Sequence, residues 1–311
     1  MATTSFTIPT NEQQQRQKQE QLTITCPLDS NLSRDKLLSF PAFNIWLTTL
    51  HHSLSRQQQP AHEFHKSPYS LRKIDIQAVD YFGKEQRLGF IKLKAEVSND
   101  EGESLPGSVF LRGGSVGMLL ILQPDDVPSG SDKDKRAIMT IQPRIPAGSL
   151  EFPEIPAGML DDSGTFAGGA AKEIYEETGL SIPQNELVDM TSLALASTRQ
   201  GISHDADINS ADNHSNHNST SSENAEESLQ NGVYPSPGGS DEFIPLFLCQ
   251  KRIPRQEIQA MQGRLTGNRH EREKITLKIV PLENLWKEGL RDGKTLAAWA
   301  LYKGLKQEGR I

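Results

Sequence analysis

Apolar and polar residues alternate through "YSLRKIDIQAVDYFGKEQRLGFIKLKAEV", where Ile74, Ile76 and Val79, then Leu88 and Phe90, come close to a period of two. "DYFGKEQ" supplies a turn between the halves, so the stretch predicts a strand pair. "GSVFLRGGSVGMLLILQP" is a more continuous apolar run and predicts a buried strand. "RAIMTIQPRIPAG" predicts another strand, and "SLEFPEIPAGM" a short one ending at Gly158. "ELVDMTSLALAST" and the strongly apolar "EFIPLFLCQKRI" predict two more strands, and "EREKITLKIVPLENLW" a strand followed by a helix from near Pro281.

The helical period appears in three places. "LSRDKLLSFPAFNIWLTTLHHSL" predicts one or two short amphipathic helices with Phe43, Trp46 and Leu47 toward a core. A helix from about Ala167 to Thr178 is stopped by Gly179. "GKTLAAWALYKGLKQEG" predicts a closing helix with Leu296, Trp299, Ala300 and Leu305 on one face.

Three stretches carry neither period. Residues 1–24 and the "SRQQQP" segment around Gln58 are polar and read as disordered. Residues 199–233 are almost free of apolar side chains between two good strands, and read as a disordered insertion in a surface loop. The loop holds His204, His214 and His217 near Asp205 and Asp212, in a pattern that fits a solvated low-complexity segment better than a metal site. The resulting layout is 1–24, an N-terminal helix and strand region over 25–105, and a larger domain over 106–311 that carries the insertion.

Composition narrows the classes. Only 35% of the 311 residues are hydrophobic, which fits unfolded segments, and the net charge of −7 argues against a general nucleic-acid binder. No apolar run approaches the roughly 20 residues that a membrane span needs. The N-terminus lacks the apolar core of a secretory signal, and Glu12 and Glu20 weigh against an organelle transit peptide, so the cytoplasm is the expected location, with organelle import still compatible. Two cysteines, Cys26 and Cys249, make no disulfide framework and fit a reducing compartment.

The chemistry concentrates in "GMLDDSGTFAGGAAKEIYEETGL", Gly158 to Leu180. With about 100° per residue, Glu173 and Glu177 stand one turn apart on one helix face, and Glu176 lies beside them. Like charges so placed repel. From the helix alone, a solvated acidic face and a cluster held together by a divalent cation fit equally well; oxygen-only donors suit Mg²⁺ or Mn²⁺.

The surroundings separate the two readings. The strand end "EIPAG", a glycine-rich loop and this acidic helix together resemble the Nudix box, G-x5-E-x7-R-E-U-x-E-E-x-G-U with U aliphatic. Gly158, Glu173, Ile174, Glu176, Glu177, Gly179 and Leu180 fall in register, while Gly164 stands where the first Glu is expected and Lys172 where the Arg is. Lys172 brings charge without a planar two-pronged contact. Asp161 and Asp162 lie in the same loop and read as solvated, or as compensating for Gly164.

Further stretches are similar to the ADP-sugar diphosphatase branch of that family. "SPGGSDEF" resembles the loop whose glutamate completes the active site, which places Glu242 in that role. "IQPRIPAGSLEFPEIPAG" resembles the segment before the box, where Arg144 matches an arginine on the diphosphate, and Arg112 in "LRGG" matches an arginine of the same branch. The resemblance runs from about Leu37 to the last helix, apart from the insertion.

It implies an α+β Nudix fold, with mixed β-sheets sandwiched between helices and a small β-rich N-terminal domain. It implies a homodimer built partly through the N-terminal strands. There Tyr81 and Phe82 read either as core aromatics flanking a turn or as rings that stack on adenine. The activity implied is Mg²⁺-dependent hydrolysis of an ADP-sugar, such as ADP-ribose or ADP-glucose, to AMP and a sugar phosphate. Glu173, Glu176, Glu177 and the carbonyl of Ala157 would hold the metal, Mg²⁺ or Mn²⁺. Glu242 and Glu176 would serve the chemistry, and Arg144, Arg112 and Phe82 the substrate. Two alternatives remain: another nucleotide diphosphate (NADH, GDP-mannose, a coenzyme A derivative) as substrate, or a catalytically inactive module that binds ADP-ribose.

Overall fold

Side chains on a strand point alternately to opposite faces, and that alternation builds the first sheet. The computed structural model describes residues 2–9, 21–84, 86–128, 130–159, 166–196, 227–267 and 274–311. They divide into two units. The first holds the described residues up to Gly113 together with 227–230 and Ser236–Glu242. The second holds residues 114–196, Asn231–Pro235 and the described residues of Phe243–Ile311.

In the first unit, β1 (Thr3–Pro9), β2 (Gln21–Pro27), β3 (Ser70–Phe82), β4 (Arg87–Ser98) and β5 (Ser104–Leu105) follow one another in a six-stranded sheet, with β6 (Ser108–Leu111) also on β4. β2 and β3 run parallel, with Ile24 opposite Ile74, and the predicted β3–β4 pair is antiparallel. Helices α1 (Arg34–Leu38) and α2 (Pro41–Ser55) cover it. Leu37 and Phe43 are fully buried among Ile8, Leu22, Ile24 and Ile74, with Trp46 and Leu47 packed at the margin.

Two expectations of disorder fail here. A strand stands at Thr3–Pro9 and another begins at Gln21 and runs to Pro27, because Ile8, Leu22, Ile24 and Cys26 alternate inward beneath the polar composition; residues 10–20 of the stretch 1–24 lie outside the described residues. The "SRQQQP" segment forms a short 3₁₀ turn at Arg56–Gln58. Its Gln57 is buried, donates to the carbonyls of Leu54 and Tyr69, and accepts from the Tyr69 N–H. A buried amide so satisfied acts as a structural pin.

The second unit is built on β7 (Ser115–Pro124), every residue of which is buried. β12 (Leu246–Ile253) pairs with it in parallel along one side. Along the other, β10 (Ala157–Met159) pairs with its first residues and β8 (Arg136–Arg144) with Ile121 and Leu122. β9 (Ser149–Glu154), β11 (Val188–Asp189), β13 (Leu265–Thr266) and β14 (Ile275–Pro281) complete an eight-stranded mixed sheet in the order β11-β12-β7-β8-β14-β13, with β10 on β7 and β9 on β8. Met118, Leu120 and Leu122 point to a core shared with α3 (Phe166–Thr178) and α5 (Arg255–Met261). Leu119 and Ile121 point to the opposite core, under α6 (Leu285–Glu288) and α7 (Gly293–Gln307). The class is therefore α+β, with a mixed sheet between helices, as expected.

Two readings of elements are corrected. "ELVDMTSLALAST" contributes only the two residues of β11 and then turns helical as α4, residues 190–196. Asp189 causes this: its carboxylate accepts from the N–H and the hydroxyl of Ser192, the hydrogen bonds of a helix N-cap. The buried side of α7 is Thr295, Ala298, Tyr302 and Leu305, and Ala300 faces solvent. Leu305 is buried there as expected and Trp299 packs at the margin, while the small Thr295 and Ala298 take the places that an apolar pattern does not mark. Helix α5 went unpredicted.

Among the described residues, no helix is long and apolar enough to cross a membrane. Both cysteines are buried and unpaired. Of the insertion, residues 199–226 lie outside the described residues, as do Asp161, Asp162 and Gly164. Residues 227–233 are ordered in the structure: Glu227 accepts from Arg56 and Ser53, and Val233 bridges Ile244.

Candidate functional site

Helix α3 buries Ala170 and Ile174 against the sheet, and this fixes where its carboxylates go. Glu177 lies on the same side and is drawn in to 5% exposure, Glu173 and Glu176 are half-buried at the margin, and Lys172 and Tyr175 face out. Gly179 ends the helix at φ 75°, its N–H donating to the Tyr175 carbonyl at 2.9 Å.

Strand β10, held on β7 with Ala157 opposite Gly117, brings its backbone to the carboxylates. The Ala157 N–H donates to Glu177 Oε2 at 3.1 Å, and Gln142 Nε2 donates to Oε1 at 3.3 Å. Gly158 lies so close to Glu173 that a Cβ there would stand 1.8 Å from the carboxyl carbon. Only a hydrogen fits, so the glycine is required by the approach of a side chain. Burial first, then the charges of Glu173 and Glu154, push Glu177 up to about 8, against the lowering effect of the bonds from Gln142 and Ala157.

Arg144 closes the same region from β8. Its Nε donates to Glu154 Oε1 at 2.6 Å, and 39% of its side chain stays exposed. Glu154 is 2% exposed, and its Oε2 meets Lys294 Nζ from the first turn of α7. Lys294 also donates to Asp292 Oδ1 at 3.1 Å.

The other expected residues lie in the first unit. Arg112 Nη2 pairs with Glu242 Oε1 at 3.3 Å and lies over the ring of Phe90. Asp241 positions that pair: its carboxylate accepts the N–H of Arg112 at 2.8 Å and of Gly113 at 3.1 Å. The "SPGG" loop is clipped to β6 by the Phe110 N–H donating to the Gly239 carbonyl at 2.8 Å. Phe82 meets Phe90 edge-on at 4.8 Å, and Phe90 meets Phe110 at 5.1 Å. Tyr81 gives its hydroxyl to the carbonyls of Ser30 and Asn31, which ties it into the fold.

The structure thus brings Glu173, Glu177 and Ala157 together, places Arg144 on Glu154, whose charge acts on Glu177, and joins Arg112 to Glu242. Gln142, Glu154, Asp241 and Lys294 were missed. A glutamate in the otherwise apolar "FPEIP" was a signal for the second of these. Among the described residues, no three His, Cys, Asp or Glu side chains form a ready cation cage. The donor set still suits a hard divalent cation: Glu173 and Glu177 converge on two consecutive backbone residues, and the buried Glu177 carboxylate lies beside the charges of Glu173 and Glu154, with neutral donors, Gln142 and the Ala157 N–H, as its hydrogen-bond partners among the described residues.

No family model matches the chain. It is 34% identical over 244 residues to Nudix hydrolase 14, chloroplastic, of Arabidopsis thaliana, an alignment that covers 78% of this chain. The chain spans 65% of that relative's length. A solved structure described as the crystal structure of an ADP compounds hydrolase aligns over 78% of this chain and 99% of its own, with a TM-score of 0.42 and 14% identity.

Proposed function

We propose that the chain is a Nudix hydrolase, like the relative it matches over 244 residues, and that it hydrolyses the diphosphate bond of a nucleotide diphosphate derivative, an ADP-sugar such as ADP-ribose or ADP-glucose. The observation that carries this reading is the convergence of Glu173 and Glu177 on the Ala157–Gly158 backbone. Glu173, Glu176, Glu177 and the Ala157 carbonyl would hold Mg²⁺ or Mn²⁺. When bound, such an ion supplies neutralisation of the diphosphate oxygens and acidification of a water.

The remaining work falls to the chain. Arg144 spends its Nε on Glu154, which leaves the two terminal nitrogens for a two-pronged contact with phosphate oxygens. Glu154 holds that guanidinium in place from a buried position. Glu177 gives up its proton before its carboxylate can act as a ligand. Glu242 takes the proton of the attacking water or orients it, with Arg112 as its partner. A homodimer and an organelle location, the latter in line with the chloroplastic relative, belong to the same proposal.

A panel of ADP-ribose, ADP-glucose, NADH and GDP-mannose with Mg²⁺ tests the substrate class. AMP should appear from the ADP-sugars and fail to appear when the metal is chelated. GMP from GDP-mannose would move the substrate class. Binding of ADP-ribose without AMP release would leave a sensor module.

Glu242→Gln should slow turnover and leave Mg²⁺ affinity comparatively intact; an unchanged turnover number removes Glu242 from the chemistry. Mg²⁺ should also displace about one proton from the metal-free protein at pH 7, since Glu177 is held up to about 8. Calorimetry in two buffers of different ionisation enthalpy reads this, and a proton count of zero would contradict it.

A further inference from the structure

Two consecutive residues of the last helix grip the last residue of β9 and the residue after it, on the segment that leads into the carboxylate site. Lys294 Nζ meets Glu154 Oε2. Thr295 Oγ1 accepts the N–H of Ile155 at 3.1 Å. Both grips return to Asp292: its Oδ1 takes Lys294 at 3.1 Å, and its Oδ2 takes the Thr295 hydroxyl at 2.5 Å and the Thr295 N–H at 3.2 Å. All of these groups are buried or nearly so, where an unmet partner is costly.

After Glu154 and Ile155 the chain has one residue, Pro156, before Ala157 and Gly158. Those are the residues on which Glu177 and Glu173 converge. On its other oxygen, Glu154 holds the Arg144 guanidinium. One helical turn therefore fixes both the backbone that receives the carboxylates and the arginine beside them.

We propose that the Lys294–Thr295 turn is a positioning device for the metal and diphosphate site: it acts through Glu154 and Ile155 and touches neither substrate nor cation. This rests on the reading given under Proposed function. Supporting groups around metal ligands typically change metal affinity or activity about 10- to 100-fold when removed, and that scale is expected here.

The test uses the full chain as Lys294→Met, Lys294→Arg and Thr295→Val. Mn²⁺ alone is titrated into metal-free protein by calorimetry, and ADP-ribose hydrolysis is followed separately with Mg²⁺. Lys294→Met should stay folded by circular dichroism, bind Mn²⁺ about tenfold more weakly or worse, and lose a similar factor in kcat with KM within about twofold. Lys294→Arg should recover most of both losses. If Lys294→Met does not fold, Thr295→Val, which removes only the hydroxyl that holds Ile155, should show the same loss of Mn²⁺ affinity.

A folded Lys294→Met, or in its place Thr295→Val, with parental Mn²⁺ affinity and kcat overturns the positioning role and leaves the proposed function standing. A parental protein that takes up no Mn²⁺ and releases no AMP overturns the proposed function itself. The two failures are thus read in different samples.

Discussion

Glu177→Gln should slow ADP-sugar hydrolysis by about 10²-fold or more, while making the metal-free protein more stable at pH 8. The first half follows from removing a charge at the proposed metal site, and Glu173→Gln should match it. The second half follows from burial. Glu177 lies at about 8 in the folded chain against an ordinary 4.5. Below 4.5 the carboxyl is protonated whether folded or not and contributes nothing to the pH dependence. Between the two values the unfolded chain releases the proton and the folded chain keeps it, so stability falls as pH rises, by at most about 1.4 kcal/mol per unit. Above about 8 both forms are ionised and the penalty stays constant. Glutamine has no proton to release, so the melting temperature of Glu177→Gln in chelator should stay flatter from pH 5 to pH 8. Parallel curves for the variant and its parent would refute the buried, charge-crowded carboxylate, and an unchanged rate would remove it from the chemistry.

Gly158→Ala should separate activity from stability. The new Cβ would stand 1.8 Å from the Glu173 carboxyl carbon and 2.1 Å from its Oε1. Those atoms are the far end of a flexible side chain, so the glutamate can swing away. We expect a cost of about 1 kcal/mol or less, the mild end of overpacking. The displaced carboxylate no longer faces the Ala157–Gly158 backbone, and hydrolysis should fall about as far as in Glu173→Gln, about 10²-fold. In the Glu173→Gln background, Gly158→Ala should then add little, because both changes remove one group's action. Additive losses would show that the glycine matters for another reason.

What could be read from the sequence was local. The helix with its stop at Gly179, the β3–β4 pair and the buried β7 each carry their signal within a dozen or so residues. So do Glu173 and Glu177, one turn apart. Helix α4 was misread because "LALA" mimics strand alternation, while the Asp189 cap before it was overlooked. The strands β1 and β2 were hidden by their Thr and Gln content, although Phe6, Ile8, Leu22 and Ile24 keep the period. The Glu154–Lys294 and Ile155–Thr295 bonds each join residues 140 positions apart, and no spacing rule in one chain reveals such a pair. The resemblance singled out Arg144, but not the buried Glu154 that orients it.

The path of the chain between its two units also bears on how this protein can be taken apart. The backbone leaves the first unit at Gly113, and the segment Ser236–Glu242, more than a hundred residues later, belongs to that unit again. That late segment supplies Asp241 and Glu242, the partners of Arg112. A gene fragment that ends near residue 113 would therefore carry the arginine without its carboxylates, and one that begins at 114 would carry the carboxylates without the strand they clip to. Neither half is a transferable module, so recombination at that junction should yield non-functional chimaeras, whereas exchanges of the whole region from the first strand through Glu242 keep these contacts intact.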